Sequence, residues 1–489
     1  MVRSLRRTPK SISALLAIAL SACGPNEPSK APTALASSSQ PPTSLASVAP
    51  YSSSEPPKEL PKNAQVHHVI LVTLDGLLPE SYLHPDAHGL KIPNLRKLVA
   101  GGASSDGALS VFPTVTYPSH TSMVTGVVPA KHGIVSNLAF DPLEQNYDAW
   151  RWYAEDIKRE TIYGAAEKAG YRTALIHWPV SVGARATYRM PEYWRARTTD
   201  DLKLLRSLST PGFFDKIEKE HPKVFDGLLP DHVQDATLTD IATSLIANEK
   251  PNLLLLHLIQ VDGEQHHFGV WSKEAVAAIE NIDTQVGRLV EAVERAGLTS
   301  DTRFIVASDH GFMDAKSMVR PCAYLREGGF VTVKNGRVGD WKATALSSSG
   351  QAYVYLKTKG DVQTEDAVRA LYEKKVKEPS SGIGRVYTKA EIEKLGGDSE
   401  AAIAVEAAPG FQFGSGCLAP VHGEGGYHAT HGYDPTRPEM RASLILHGVN
   451  VGKGKLVGAR LVDIAPTIAE WLGLTLGEVD GTPLRPVQR

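Results

Sequence analysis

Three acidic residues in this 489-residue chain stand at or just past the ends of apolar runs that read as buried strands: Asp75 after Leu74, Asp262 after Val261, and Asp309 after Ser308. In an open α/β sheet, ligands bind in the crevice beyond the carboxyl ends of the strands, so carboxylates at those positions converge. Carboxylates brought that close repel one another and shift their pKa values unless a dication lies between them. Histidines accompany them: His266 four residues after Asp262, His310 directly after Asp309, and His431 within Thr430-His-Gly-Tyr-Asp434. Mixed imidazole and carboxylate donors suit zinc, whereas magnesium or calcium would favour oxygen alone, so two Zn2+ per chain are expected. Each piece is weak alone, because the chain has 17 histidines. Asp75 before Gly76 also reads as a turn residue, Asp262 as a helix cap and His431 as a loop histidine. Their joint order carries the argument. His267, next to His266, is a reserve ligand.

A second segment, Phe112-Pro-Thr-Val-Thr116-Tyr-Pro-Ser-His-Thr-Ser-Met-Val-Thr-Gly126, supplies a reacting group. Pro118 fits the first turn of a helix running through Val124, which puts Thr116 at its N-terminal end. That end concentrates N–H groups and partial positive charge, which favours an anionic phosphoryl group. Thr116 also reads as an ordinary helix cap, and Ser119 and Ser122 are rival hydroxyls.

The elements that must position these residues follow from periodicity. β-Branched and leucine-rich runs without helical period recur at Val66 to Leu74, Thr173 to Ile176, Leu253 to Val261, Arg303 to Ser308 and Ala442 to Leu446. Helical patterns lie between and after them, at Ile92 to Ala100, Thr161 to Ala169, Lys273 to Arg295 and Leu461 to Leu472. The alternation predicts an α/β fold, a mostly parallel sheet sandwiched between helices. Between His310 and His431 the rhythm changes to Gly-rich short strands and a charged helix from Glu365 to Lys377. Residues 311–430 therefore read as an inserted cap lobe of α+β character, and residues 63–310 with 431–489 as the catalytic core. No internal repeat is visible.

The formal net charge of −2 gives no basis for broad capture of nucleic acid or anionic membrane. Residues 1–22 carry Arg3, Arg6, Arg7 and Lys10 before the short apolar run Ile12 to Leu20, the pattern of an export signal. Leu20-Ser-Ala-Cys23 is similar to a bacterial lipobox, so Cys23 is expected to bear lipid on an exported lipoprotein of the periplasm or outer membrane; an ordinary secretory signal is the alternative. Ser, Pro, Ala and Thr dominate up to about Lys62, so residues 23–62 read as a disordered tether. With Cys23 set aside, Cys322 and Cys417 remain in an oxidising compartment, either as a disulfide or as two buried thiols.

The series Leu74-Asp75-Gly76, Thr116-Tyr-Pro-Ser-His120, His132-Gly-Ile-Val-Ser-Asn137, Asp262 with His266, Asp309-His310-Gly311 and His431-Gly-Tyr-Asp434 resembles the nucleotide pyrophosphatase/phosphodiesterase family of the alkaline phosphatase superfamily. The resemblance spans roughly residues 66–484 and implies the alkaline phosphatase-like fold. It implies that Asp75, Asp309 and His310 hold the zinc that also binds Thr116, the nucleophile, and that Asp262, His266 and His431 hold the second. Asn137 stands where the family contacts phosphate, Tyr117 where relatives flank a nucleotide base, and Arg185 in the segment where monoesterase relatives bind phosphate, although a surface ion pair suits Arg185 better. The expected activity is hydrolysis of phosphodiester or pyrophosphate bonds, of nucleotides given Tyr117, through a threonine-bound intermediate. Monoester or phosphonate hydrolysis is the runner-up, and a lipoprotein that only binds phosphorylated ligands is the reading of another class.

Overall fold

Alternation along the first strand, β1 (His68–Leu74), sets the layers: Ile70, Val72 and Leu74 enter one apolar layer, while Val69 and Leu71 enter the other. This computed structural model describes residues 61–146, 149–193, 202–228 and 234–487, so the expected signal segment, Cys23 and nearly all of the tether lie outside the described residues. The main sheet adds β2 (Ala103–Ser104), β3 (Thr173–Trp178), β4 (Tyr188–Pro191), β5 (Leu253–Leu258) and β6 (Thr302–Ala307). Ten strands follow: β7 (Met313–Val319), β8 (Val331–Lys334), β9 (Arg337–Trp341), β10 (Ala343–Ser348), β11 (Gln351–Leu356), β12 (Ile383–Thr388), β13 (Ile403–Ala407), β14 (Gly410–Phe413), β15 (His422–Glu424) and β16 (Ala429–Thr430). The chain then rejoins the main sheet through β17 (Leu444–Gly448) and β18 (Gly454–Lys455).

The eight strands lie in the order β18-β2-β17-β6-β1-β5-β3-β4. The run β6-β1-β5-β3-β4 is parallel, with Leu74 opposite Leu258 and Thr73 opposite both His257 and Ala307. β17 runs the other way between β6 and β2. Strand sequence alone gave no sign of that reversal, because β17 is entered from the stretch of short strands and not through a crossover helix. Helices Pro93–Gly101, Asp235–Asn248 and Lys273–Arg295 cover one face of the sheet, and helices Thr116–Thr125, Ile162–Lys168 and Ile464–Leu472 cover the other. The chain is α/β with an alkaline phosphatase-like layering.

One boundary departs from expectation in a way that matters for the site. The run Leu253 to Val261 does not stay extended: β5 ends at Leu258, and Gln260–Phe268 is a helix. Asp235, on the neighbouring helix, accepts hydrogen bonds from the N–H groups of Ile259 and Gln260 at 2.9 and 3.2 Å, and Ile259 already has a helical backbone. Asp262 therefore occupies the first turn of a helix, not the end of a strand.

Strands β7 to β16 build sheets of their own. An antiparallel sheet runs β10-β11-β13-β12, β14 and β15 flank β7, which β16 also joins, and β8 pairs with β9. The helix Val362–Val376 begins at Asp361, whose carboxylate accepts from Thr364 N–H. Cys322 and Cys417 form a disulfide, with Cα atoms 4.5 Å apart. Phe112 and Val135, from the segments around Thr116 and Asn137, pack against Tyr353, Tyr387 and Ile392, so this region is fastened to the loops that carry the candidate chemistry. Among the described residues no helix is long and apolar enough to cross a membrane.

Candidate metal centre and nucleophile

Asp75 leaves β1 with its N–H bonded to Leu258 carbonyl at 2.9 Å, which holds the residue at the end of the sheet. Asp309 and His310 follow β6 by two and three residues. Gly311 completes that turn because a Cβ there would fall 2.0 Å from the Glu439 carbonyl oxygen. Asp75, Asp309 and His310 form one buried group of potential metal ligands: His310 Nε2 lies 3.3 Å from Asp75 Oδ1 and 3.2 Å from Asp309 Oδ2.

Asp262, His266 and His431 form the second group. Their arrangement follows from the helix found after β5: residues four apart share a face, so His266 Nε2 lies 3.4 Å from Asp262 Oδ1. His431 Nε2 approaches the same oxygen at 3.7 Å. His431 is placed by Gly432, whose φ of +92° and close approach to the Ser348 carbonyl, 2.3 Å from where a Cβ would be, admit no side chain. The imidazoles of His310 and His431 stack with centroids 3.6 Å apart, so the two groups adjoin.

Each of the three histidines directs Nδ1 at a backbone carbonyl: His266 at Ala429, His310 at Gly311 and His431 at Thr114, at 2.9 to 3.0 Å. This leaves Nε2 facing the centre in the neutral, metal-ready tautomer. Asp75 Oδ1, Asp262 Oδ1, Asp309 Oδ2 and His310 Nε2 are buried there without a hydrogen-bond partner. Buried polar atoms are almost always partnered, so orphaned atoms of four residues aimed at one another fit the donor set of bound cations.

The electrostatics agree. Burial, then the charges of Asp309 and Asp262, raise the Asp75 carboxyl well above its ordinary range, and burial with the Asp309 charge does the same for Asp262. Burial pushes His310 and His431 down to about 3 and lowers His266 as well. Burial holds the histidines neutral in the metal-free fold, so toward neutral pH the protons that compete with a metal are those retained by Asp75 and Asp262. A carboxyl raised in the fold contributes stability below its unfolded pKa and loses it as pH rises through the folded value. Metal-free protein therefore loses this contribution toward neutral pH, where a cation replaces the protons. Removing metal with a chelator should lower Tm by several degrees at pH 8, since a ligand at about 100 times its Kd stabilises by about 2.7 kcal/mol. Toward pH 5 the gap between stripped and loaded protein should narrow; melting curves whose gap is constant across that range would contradict this.

Thr116 is the first residue of the helix Thr116–Thr125, and the preceding Val115 makes no side-chain cap, so the ordinary capping role falls away. Thr114 carbonyl anchors His431 of the second group, while Thr116 carbonyl accepts from His120, whose Nδ1 is 3.7 Å from Asp309 Oδ2 of the first. The segment carrying Thr116 thus runs between both groups. Asn137 Oδ1 accepts the Tyr117 N–H at 2.9 Å, which leaves its amide NH2 as the remaining donor beside Thr116. With Tyr117 N–H taken and Pro118 lacking one, the expected anion-binding helix end reduces to the Thr116 N–H.

The rival hydroxyls are engaged elsewhere: Ser119 is buried against Ser110, and Ser122 against His132 Nε2 at 2.9 Å. His267 is exposed and bonded to Gly263 carbonyl, outside both groups. His422 lies on β15 and His428 is exposed, and neither belongs to a group. Arg185 is exposed after β3.

Tyr117 corrects an expectation. It is 0% exposed, packed with Ile134, Trp152, Val180 and Val182, so it presents no face to a nucleotide base. One helical step from Thr116 turns its side chain about 100° away, into the core. Two residues without an expected role stand at the site instead. His257, inside β5, reaches Asp75 Oδ2 with Nε2 at 3.0 Å and Glu192 Oε2 with Nδ1 at 2.8 Å. Burial opposes charge on this imidazole, but its hydrogen bonds to the two carboxylates outweigh burial and raise its pKa well above the ordinary value. The available sequence signal was a histidine inside an otherwise leucine-only strand.

A family model for type I phosphodiesterase/nucleotide pyrophosphatase matches residues 69–434. Human ectonucleotide pyrophosphatase/phosphodiesterase family member 1 is 26% identical over 258 residues, 52% of this chain and 24% of that protein. An uncharacterized pyrophosphatase/phosphodiesterase of Schizosaccharomyces pombe is 30% identical over 256 residues, 50% of this chain and 44% of that one. The chain thus spans less than half the length of these relatives. Among solved structures, human ectonucleotide pyrophosphatase/phosphodiesterase 5 superposes with a TM-score of 0.61 at 20% identity, over 85% of this chain and 97% of that one. The murine protein, as an inactive threonine-to-alanine variant in complex with AMP, superposes at 0.60 and 21% identity, with the same coverage. The match over residues 69–434 takes in both ligand groups and Thr116, and by it this chain belongs to the type I phosphodiesterase/nucleotide pyrophosphatase family.

Proposed function

We propose that this protein is a two-zinc hydrolase of phosphodiester or pyrophosphate bonds, acting on nucleotides through a covalent Thr116 intermediate. The observation that carries the proposal is the pair of adjoining Asp/His groups, with unpartnered oxygens facing inward, both contacted by the segment that starts the Thr116 helix. Asp75, Asp309 and His310 would hold one zinc and Asp262, His266 and His431 the other. When bound, the zincs lower the pKa of the threonine hydroxyl, neutralise phosphoryl charge and later activate water.

Thr116 Oγ loses its proton and attacks phosphorus, the bond to the leaving oxygen breaks in line, and the leaving group departs after taking up a proton. Water then cleaves the Thr116–phosphorus bond and restores the hydroxyl. Asn137, held by the Tyr117 N–H, offers its amide NH2 to a non-bridging phosphoryl oxygen as a neutral donor. A neutral donor suits a diester, which carries one negative charge fewer than a monoester. AMP in the murine neighbour supports a nucleotide substrate. Export as a lipoprotein anchored at Cys23 is part of the same reading, supported by the sequence Leu20-Ser-Ala-Cys23.

Purified protein loaded with zinc should hydrolyse bis-p-nitrophenyl phosphate at least about 10²-fold faster, in kcat/KM, than p-nitrophenyl phosphate, and a chelator should abolish both. Preference for the monoester would move the assignment to a phosphomonoesterase. Turnover of neither ester by zinc-loaded protein would leave only a binding role.

A further inference from the structure

We propose that His257 and Glu192 are positioning residues: a buried hydrogen-bonded pair that aims the Asp75 carboxylate at its cation. The inference rests on the metal-dependent reading above.

The hydrogen-bonded groups cross the carboxyl ends of neighbouring parallel strands. Asp75 follows β1, His257 lies in β5 beside it, His177 in β3, and Glu192 directly follows β4. His257 Nε2 lies 3.0 Å from Asp75 Oδ2 and its Nδ1 2.8 Å from Glu192 Oε2, while His177 Nδ1 stands 3.8 Å from the same Glu192 oxygen. All of these side chains are buried.

The geometry at Asp75 is asymmetric. Oδ2 is occupied by His257, and Oδ1 is unpartnered and turned toward His310 Nε2 at 3.3 Å. A carboxylate torsion is broad and roughly two-fold, so an unrestrained Asp75 would present either oxygen in many orientations. His257 selects one. Glu192 then fixes the imidazole, much as outer partners fix the ligands of metal sites. Packing does not account for His257, since a leucine would match Leu253 to Leu258 and bury no charge, and a buried row of ionisable groups is seldom more stable than an apolar replacement.

The test compares wild-type protein with His257→Leu, His257→Gln and Glu192→Gln, measuring zinc affinity by competition with a chromophoric chelator and Tm without metal. His257→Leu and Glu192→Gln should weaken one of two zinc equivalents about 10- to 100-fold and leave the other unchanged. His257→Gln, which keeps an N–H donor, should recover part of that loss. Metal-free His257→Leu leaves the buried Glu192 without its partner and should melt lower than wild type, so zinc affinity is measured well below the Tm of each metal-free variant, where its loss cannot be assigned to unfolding. If His257→Leu and Glu192→Gln bind both zincs as wild type does, the proposal fails. If wild-type protein takes up no zinc, the metal reading fails first, and the two failures are distinguishable.

Discussion

Replacing Thr116 with alanine should lower turnover at least about 10³-fold while two metal equivalents and the melting temperature remain close to wild type. The separation of effects follows from the local structure. Thr116 is the first helical residue and Val115 precedes it without a side-chain cap, so no helix-capping hydrogen bond is lost, and alanine is favourable in a helix. The six Asp and His ligands are held by β1, by the turn after β6, by the helix after β5 and by Gly432, none of which depends on the threonine hydroxyl. Metal content by atomic absorption, with initial rates on a diester, separates the two quantities. A Thr116→Ala protein that turns over within about ten-fold of wild type would remove Thr116 from its role.

Asp309→Asn should have opposite effects on function and on the metal-free fold. Asp309 is fully buried; Oδ1 accepts Gly76 N–H at 3.2 Å, and Oδ2 faces His310 without a hydrogen-bond partner. An asparagine oxygen can keep the Gly76 bond, but its NH2 would point donors where a cation must sit. Zinc affinity at that group and turnover should each fall by about 10² or more. After burial, the Asp309 charge does most to raise both Asp75 and Asp262. Removing it relieves repulsion among buried carboxylates, so metal-free Asp309→Asn should be about 1–2 kcal/mol more stable than metal-free wild type near neutral pH. Melts of chelated samples measure this, and a lower Tm for the variant would show that the carboxylates do not strain the metal-free fold.

Much of the site was legible because its chemistry follows strand ends. Asp75 and Asp309 lie at the termini of apolar runs whose burial on both faces marks a parallel sheet, and such runs have few alternative readings. Asp262 and His266 come together although their element was misread: i,i+4 spacing shares a face in the helix that is actually there. Nothing local announces the break after Leu258, because Asp235, which turns the chain out of the sheet, lies 24 residues upstream of Ile259. Tyr117 shows the reverse failure. Adjacency to Thr116 suggested contact with substrate, but a helix sends consecutive side chains in different directions, and this one enters the core. Glu192 was invisible, since its link to His257 spans 65 residues and exists only once β3, β4 and β5 lie side by side.

The central claim is that phosphoryl transfer passes through Thr116. The most direct measurement quenches zinc-loaded protein in acid during turnover of a nucleotide diester, digests it, and locates the added phosphoryl group by peptide mass. The account predicts a phosphoester on Thr116 that forms within one turnover and is absent from Thr116→Ala. Turnover without any protein-bound phosphoryl group, or with the group on Ser119 or Ser122, would contradict it.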